Sequence, residues 1–430
     1  MNVLNSLDEQ LSGSSSQTDS PGTVSPRSVG WAWLRAVAQD VTSPGRALLA
    51  LAVVFLLLAT SGWTAQRHLG QAKDPRALAL SAWLHGSVNA HRLPRPDAPP
   101  QTIAHFFATL TAHQRARLAH RYPLVVGNLN GAPATLRYRA NRISIHRALK
   151  AERRRQHTAL LNDAGRWESR RRVHRYLSLL HAGRQIFSFD PSGRGKAAEV
   201  FGNLNTADRV SVLVPGVDVD LLSFERTDKP RTAPVGMARS LYNSARRTDP
   251  KARIAMIAWA DYRTPVGIGV DAATGTLASQ GADRLEQLVA ALPRKVSTSL
   301  FCHSYGSVVC GMAAAGLPKH KVSDIAVFGS PGMRVDRASD LHTDARVWAA
   351  RDPSDWIEDV PHLEFAGLGH GADPVSPGFG ARVVDADNAH GHAGYLEPGT
   401  ASLRNFARLA VGKYWSVSCA TGNTCTTGIV

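Results

Sequence analysis

FCHSYGSVVCG, residues 301–311, continues an apolar run that begins at Ser297 and leads into the helix-like stretch SVVCGMAAAG. A serine nucleophile on a sharp strand-to-helix turn usually lies in the pattern G-x-S-x-G, because the flanking positions must be small. Gly306 supplies the second small residue, whereas Cys302 stands in place of the first. Because cysteine packs as a small hydrophobe, we expect Cys302 to be a tolerated spacer and Ser304 to be the nucleophile.

Short apolar runs separated by turns extend on both sides of this segment, from residue 185 to residue 350. Helix-like stretches such as VGMARSLYNSARR and GADRLEQLVAALP lie between several of them, and this alternation predicts an α/β fold with a mainly parallel sheet flanked by helices. Turns alone join the first three runs, so we expect the sheet to begin with antiparallel strands. The runs are IFSFD, AAEVF, RVSVLVPG, RIAMIAWA, STSLF, DIAVFGSPG and ARVWAA.

Candidates for the acid and the base follow the serine in the chain, as they do when the triad order is serine, acid, histidine. In ARVWAARDPSDWIEDVP a strand is followed by two aspartates, of which we prefer Asp355 and keep Asp352 as the alternative acid. The late loop NAHGHAGYLEPGT supplies His390 and His392, and GLGHGADP supplies His370 as a further alternative base.

Two backbone N–H groups are candidates for an oxyanion hole. The first is that of Tyr305, directly after the serine, where the following helix points its free N–H groups at the site. The second normally comes from the loop after an earlier strand. RVSVLVPGVDVD fits that description, and the N–H of Val217 is our candidate donor.

The charge of the chain is concentrated in one segment. The formal net charge is +16, and residues 137–196 hold sixteen Lys and Arg against four Asp and Glu. Such a field attracts anionic lipid or nucleic acid. The run lacks aromatic interleaving and a nucleic-acid module, so we interpret it as solvated helix faces and expect no specific nucleic-acid partner.

A membrane anchor is predicted near the N-terminus. Ala47–Ala65 carries no charge over about 19 residues, close to what a bilayer-spanning helix needs; a buried core helix is the alternative. Arginines flank both ends, so the orientation stays open. We expect a single-pass membrane protein with an extracytoplasmic catalytic domain, where Cys419 and Cys425 could form a disulfide. The expected domains are a tail (1–45), the anchor (46–66), a linker (67–100), a helical region (101–184), a catalytic domain (185–413) and a C-terminal tail (414–430).

Taken together, several motifs resemble a family of actinobacterial α/β-hydrolases catalogued as a domain of unknown function. The motifs are VVGNLNGAPATLRYRANR, LVPGVDVD, AWADYRTP, HSYGSVVCG, FGSPGM, GLGHGADPVSPGFGAR and GHAGYLEPGT, spread over about residues 122–412. The resemblance implies an α/β-hydrolase fold with Ser304 as nucleophile, an acid matching Asp355 and a base matching His392. Cys302 departs from the glycine that many relatives carry. The family brings no agreed substrate.

The sequence thus predicts a serine hydrolase that cleaves an ester-type acyl bond in a small-molecule or lipid-like substrate. No metal or organic cofactor is expected, because neither a zinc-type Cys/His spacing nor a G-x-G-x-x-G after a strand occurs. Two alternatives are a binding protein that keeps the fold without the chemistry, and a basic protein that associates with membranes or nucleic acid. The oligomeric state is left open.

Overall fold

The computed structural model describes residues 74–158, 161–365 and 367–429. The predicted tail (1–45) and anchor (Ala47–Ala65) lie outside these residues, so both stay predictions. Within the described ranges, no helix has the length and apolar character that a membrane crossing requires.

A helical region precedes the sheet, as the sequence predicts. It also reaches into the predicted linker, because a helix at residues 75–84 buries Trp83 against Tyr122, with the ring centroids 5.4 Å apart. Thr111 and Gln114 form the reciprocal capping box that begins the third helix. The helices are α1 Pro75–Leu84, α2 Pro100–Thr109, α3 Ala112–Arg121, α4 Pro123–Val126, α5 Ala134–Gln156 and α6 Asp163–Leu179, and the strands β1 Ser87–Val88 and β2 His91–Arg92 form a hairpin.

The remainder of the chain folds around an eight-stranded sheet with strand order β12-β9-β8-β7-β5-β6-β4-β3. All seven predicted runs are strands of this sheet. The strands are β3 Gln185–Asp190, β4 Lys196–Gly202, β5 Arg209–Val214, β6 Ile254–Ala260, β7 Ser297–His303, β8 Val322–Phe328, β9 Arg346–Ala350 and β12 Arg382–Val383; β10 Glu364–Phe365 and β11 Leu368–Gly369 form a separate hairpin.

The sheet is antiparallel at one edge and parallel elsewhere. β3 pairs with β4 and β4 with β6 in antiparallel fashion, while β6, β5, β7, β8, β9 and β12 run parallel. The expectation of antiparallel strands therefore holds for the first two runs only. The third run, β5, lies on the far side of β6 from β4 and pairs with β6 and β7. The helix α7 Pro234–Thr248 connects β5 to β6, so these two strands run parallel.

Helices cover both faces of the sheet, and the alternation of side chains along each strand decides which helix each residue meets. Phe301 and Phe328 lie in the cluster that includes α7 and α11 Ala401–Val411. Leu300 and its neighbours on the other face pack against α9 Thr276–Ala291 and α10 Gly306–Ala313. The short helix α8 Val270–Ala273 precedes α9. β7 is thus covered on both faces. The strand order places it between β8 and β5, near the middle of the sheet.

The last residues pack on the sheet although the sequence predicts a tail at 414–430. The Tyr414 hydroxyl donates to buried Asp324 Oδ2 over 2.9 Å, at the start of β8. Further along, Cys419 forms a bridge with Val384 and a disulfide with Cys425. This pair confirms the disulfide that the sequence left as a possibility, and it closes the C-terminal segment against the β12 edge.

Candidate active site

Ser304 lies in the turn between β7 and α10 and adopts a left-handed backbone conformation with φ +54°. A non-glycine residue at positive φ is held there only by its surroundings. The Ser304 N–H donates to the Phe328 carbonyl over 3.0 Å. A Cβ on Gly306 would lie 2.3 Å from the carbonyl oxygen of Val214, and one on Gly216 would lie 2.6 Å from the serine Cβ. The turn is therefore pressed against the end of β5, and only glycine fits on either side.

Cys302 is more than the small spacer that the sequence predicts. Its sulfur forms a disulfide with Cys310. Both residues lie in the cluster between the sheet and the helices α9 and α10, because the Cys302 side chain leaves β7 on the face that α10 covers. The disulfide therefore fastens the strand before Ser304 to the helix after it, which a glycine at position 302 cannot do.

Asp355 and His392 form a hydrogen-bonded pair. The His392 Nδ1–H donates to Asp355 Oδ1 over 2.9 Å and lies 3.1 Å from Oδ2. The Asp355 side chain is fully buried, whereas that of His392 is 19% exposed. Since the hydrogen bonds of the imidazole to described residues run through Nδ1, the opposite nitrogen, Nε2, is available for a proton from the serine.

Asp355 stays ionised because hydrogen bonds outweigh its burial. Burial alone raises the pKa of the carboxyl, but hydrogen bonds from His392, from the Tyr395 hydroxyl and from the Ile357 N–H hold the pKa below its usual range. The Tyr395 hydroxyl donates to Oδ2 over 2.6 Å and the Ile357 N–H to Oδ1 over 3.0 Å. The carboxylate can therefore fix the imidazole orientation and stabilise an imidazolium.

The alternative acid and bases lie elsewhere. Asp352 accepts hydrogen bonds from Ser354 and from the Gly391 N–H, so it joins the acid loop to the histidine loop without contacting His392. His390 is exposed. His370 is buried, and its Nε2–H donates to the Ala272 carbonyl over 2.7 Å. Burial lowers the pKa of His370, but no carboxylate orients its ring among the described residues.

Three further residues support the pair, and sequence reasoning did not assign them. Tyr395 holds Asp355 and also accepts the Asp352 N–H over 3.0 Å. Gly329 has φ +54°, and a Cβ there would lie 3.0 Å from Asp355 Oδ2 and 3.2 Å from the His392 ring. The Nε2–H of His303 donates to the His392 carbonyl over 2.7 Å. The motifs FGSPGM and GHAGYLEPGT contain the first two, but only the fold shows what they contact.

His303 also links the serine to the base, because it directly precedes Ser304 and its ring centroid lies 4.9 Å from that of His392. No hydrogen bond joins Ser304 to His392 among the described residues. Such contacts often tighten only when substrate is bound. The arrangement brings Ser304 and His392 to one site at the carboxyl ends of β7 and β8.

The two predicted oxyanion donors are free to receive a ligand. Toward the residues that the structure describes, neither the Tyr305 N–H nor the Val217 N–H has a hydrogen-bond partner. The buried hydroxyl of Tyr262 donates to the Pro215 carbonyl over 2.5 Å and so fixes the loop that carries Val217. The Tyr305 hydroxyl donates to the Thr274 carbonyl over 2.9 Å, which fixes the first donor.

A metal site is not evident in this part of the chain. Across the described ranges, no three His, Cys, Asp or Glu side chains converge in a way that could hold an ion.

Comparisons with known proteins agree with the fold. A family described as alpha/beta hydrolase matches residues 190–365, a segment that contains Ser304 and Asp355; His392 lies beyond it. With the strand order, this match confirms the predicted α/β-hydrolase fold. Uncharacterized proteins from two strains of Mycobacterium tuberculosis are 29% identical over 378 residues, covering 75% of this chain and 57% of theirs. The chain therefore spans little more than half the length of these relatives.

Solved structures with a similar arrangement include hydrolases. A serine hydrolase without lid from Xanthomonas campestris is 16% identical with a TM-score of 0.31, covering 54% of this chain and 96% of that one. The 2,6-dihydroxy-pseudo-oxynicotine hydrolase is 10% identical with a TM-score of 0.32, covering 73% of this chain and 88% of its own.

The buried His303 predicts a pH dependence of stability. Burial, together with the neighbouring His392, lowers the pKa of His303 from 6.5 to about 3. Between these values the unfolded chain binds a proton that the folded chain does not, so the free energy of unfolding falls as the pH falls through this window. His303→Gln keeps an N–H donor but does not titrate. We expect its free energy of unfolding, measured by urea denaturation at pH 7, 5 and 4, to fall less than that of the wild type.

The exposed His390 is the matched control for this measurement, since His390→Gln removes a histidine from solvent. Its pH profile should follow the wild type. A His303→Gln profile that also follows the wild type would show that folding does not lower the pKa of His303.

Proposed function

We propose that the protein is a serine hydrolase that cleaves an acyl ester, with Ser304 as nucleophile, His392 as base and Asp355 as the orienting acid. The observation that carries the proposal is the buried Asp355–His392 pair, joined over 2.9 Å, beside a serine in the left-handed conformation of a strand-to-helix turn. The match of residues 190–365 to the alpha/beta hydrolase family supports hydrolase chemistry in general.

In the proposed reaction, His392 Nε2 takes the proton of Ser304 Oγ while that oxygen attacks the acyl carbonyl. The N–H groups of Tyr305 and Val217 stabilise the oxyanion of the tetrahedral intermediate. The imidazolium then returns the proton to the departing alcohol. Water, activated by the same imidazole, attacks the acyl-enzyme, and the serine is regenerated as the carboxylic acid leaves.

The surroundings of the serine favour catalysis over a binding protein that lost the chemistry. A left-handed non-glycine residue costs about 1–3 kcal/mol and persists where the surrounding structure imposes it. Here the Ser304 N–H bond to the Phe328 carbonyl and the close approach of Gly306 and Gly216 hold the turn in this conformation. Two N–H groups beside the serine have no partner among the described residues, and acyl transfer would use them to bind an oxyanion.

We propose further that the catalytic domain lies outside the cytoplasm and that Ala47–Ala65 anchors it. Disulfides form and persist in oxidising compartments, and both cysteine pairs within the described residues are bonded, Cys302 with Cys310 and Cys419 with Cys425. The uncharged run of about 19 residues supplies the anchor.

The triad assignment predicts how single substitutions change turnover of a p-nitrophenyl ester. Ser304→Ala and His392→Ala should each lower kcat by about 10⁴-fold or more, because nucleophile and base act as a unit. His390→Ala is the matched control from the same loop and should cost less than about tenfold. Ser304→Ala should also abolish labelling by a fluorophosphonate probe. Full labelling of that variant, or a larger loss in His390→Ala than in His392→Ala, would contradict the assignment.

The localisation predicts two properties of the full chain made in its native host. It should remain with membranes after a carbonate wash, and a variant without residues 1–66 should not. Alkylation without reductant should modify none of its four cysteines. Free thiols at Cys419 and Cys425 would argue for a reducing compartment, and recovery of the washed full chain in the soluble fraction would refute the anchor.

A further inference from the structure

Exposed apolar side chains are concentrated around the candidate active site. Among the described residues, eleven large apolar side chains are at least 40% exposed, and five of these lie on α1, on α6 or next to Tyr414. The other six lie on loops and short elements that are linked to Asp218, to Tyr305 or to His392. We call these six the apolar rim: Val266, Ile268, Val270, Trp356, Leu363 and Leu368.

The loop that carries Val266 and Ile268 is fastened to the oxyanion loop. The Asp218 N–H donates to the Pro265 carbonyl over 2.9 Å, and the Gly267 N–H donates back to Asp218 Oδ1 over 2.8 Å. Asp218 directly follows Val217, the proposed oxyanion donor. The segment that carries the two most exposed side chains of the rim, Val266 at 64% and Ile268 at 78%, is therefore held next to the loop of the proposed oxyanion donor.

The second part of the rim borders Tyr305, the other proposed donor. Its hydroxyl donates to the Thr274 carbonyl, and Thr274 forms an isolated bridge with Leu368. The His370 ring donates to the Ala272 carbonyl, which joins the segment of Leu368 to that of Thr274 a second time. Val270 and Leu368 are thus held on this side of the elbow.

Trp356 completes the rim at the base. Its ring centroid lies 4.8 Å from that of His392, and its side chain is 47% exposed. It begins the short helical turn that directly follows Asp355. The rim therefore touches the loops of the oxyanion donors, the acid and the base.

Single exposed apolar residues are ordinary, but a group of them around one site marks a binding surface. Two of the charged pairs beside these segments are mutually neutralised, Arg334 with Glu364 and Arg351 with Asp373. A Cβ added to Gly267 or to Gly269, which alternate with the rim residues, would contact no atom within 4 Å. This loop is therefore open to solvent. An aliphatic chain can lie along it without displacing protein atoms.

We propose that the apolar rim binds the aliphatic acyl chain of the substrate, so that the enzyme prefers esters of medium- or long-chain fatty acids to acetyl esters. The inference rests on the proposed function, because it is the acyl group on Ser304 that places a chain at the rim. Contact with the chain buries methylene groups that otherwise face water, and each contributes to binding of the transition state.

The test compares kcat/KM of the full chain for p-nitrophenyl octanoate and p-nitrophenyl acetate, both kept below micelle-forming concentrations. The wild type should prefer the octanoate by about tenfold or more. The double variant Val266→Ser/Ile268→Ser should lower the octanoate-to-acetate ratio by about tenfold. The control is Trp415→Ser, whose side chain is 75% exposed beside Tyr414, at the amino-terminal end of β8. It should keep the wild-type ratio.

A wild-type ratio near one, or a ratio that the double variant leaves unchanged, would overturn the proposal while leaving the serine hydrolase intact. If the double variant changed only binding to phosphatidylcholine vesicles, the rim would be a lipid-surface contact and the proposal would be wrong.

Binding of dansyl-undecanoic acid to Ser304→Ala tests the rim without turnover. Adding Val266→Ser/Ile268→Ser to this variant should weaken probe binding by about tenfold. If neither ester is hydrolysed, the proposed function fails, and the binding measurement alone tests the apolar rim. Weaker probe binding in the rim variant then supports an acyl-chain site, and equal binding overturns it.

Discussion

The left-handed backbone of Ser304 is the constraint on which the rest of the site depends. It turns the chain from β7 into α10 within two residues, and this tight turn brings Gly306 against the Val214 carbonyl at the end of β5. Toward the residues that the structure describes, the Tyr305 N–H in the same turn has no backbone partner. β5 and β8 must therefore lie on either side of β7, as the strand order places them.

Asp355 is the second residue around which the site is organised, because a buried carboxylate needs hydrogen-bond donors around it. It receives hydrogen bonds from His392, Tyr395 and Ile357. The loops that supply them are joined independently through the Gly391 N–H and the Ser354 hydroxyl. Glycine at position 329 leaves room for this arrangement beside β8. His392 is thus positioned by the packing of Asp355, and little of that positioning depends on Ser304.

Local patterns were enough to predict the strands and the turn at Ser304, because alternation and turn chemistry lie within short segments. Local patterns do not predict the contacts between distant segments. The Cys302–Cys310 disulfide depends on which face of β7 meets α10, and the role of Tyr395 depends on two loops meeting beyond the sheet edge. The helix at 75–84 was missed because the Pro-rich stretch after it resembles a linker, although Trp83 is fully buried.

We propose that the turn at Ser304 holds an acyl oxygen of the substrate against two backbone N–H groups, those of Tyr305 and Val217. The most direct measurement is a crystal structure of the protein after reaction with a p-nitrophenyl alkylphosphonate. We predict a phosphorus–oxygen bond to Ser304 Oγ, with the phosphoryl oxygen about 2.7–3.1 Å from the nitrogens of both Tyr305 and Val217. A phosphonyl group on another residue, or a phosphoryl oxygen turned away from both nitrogens, would contradict it.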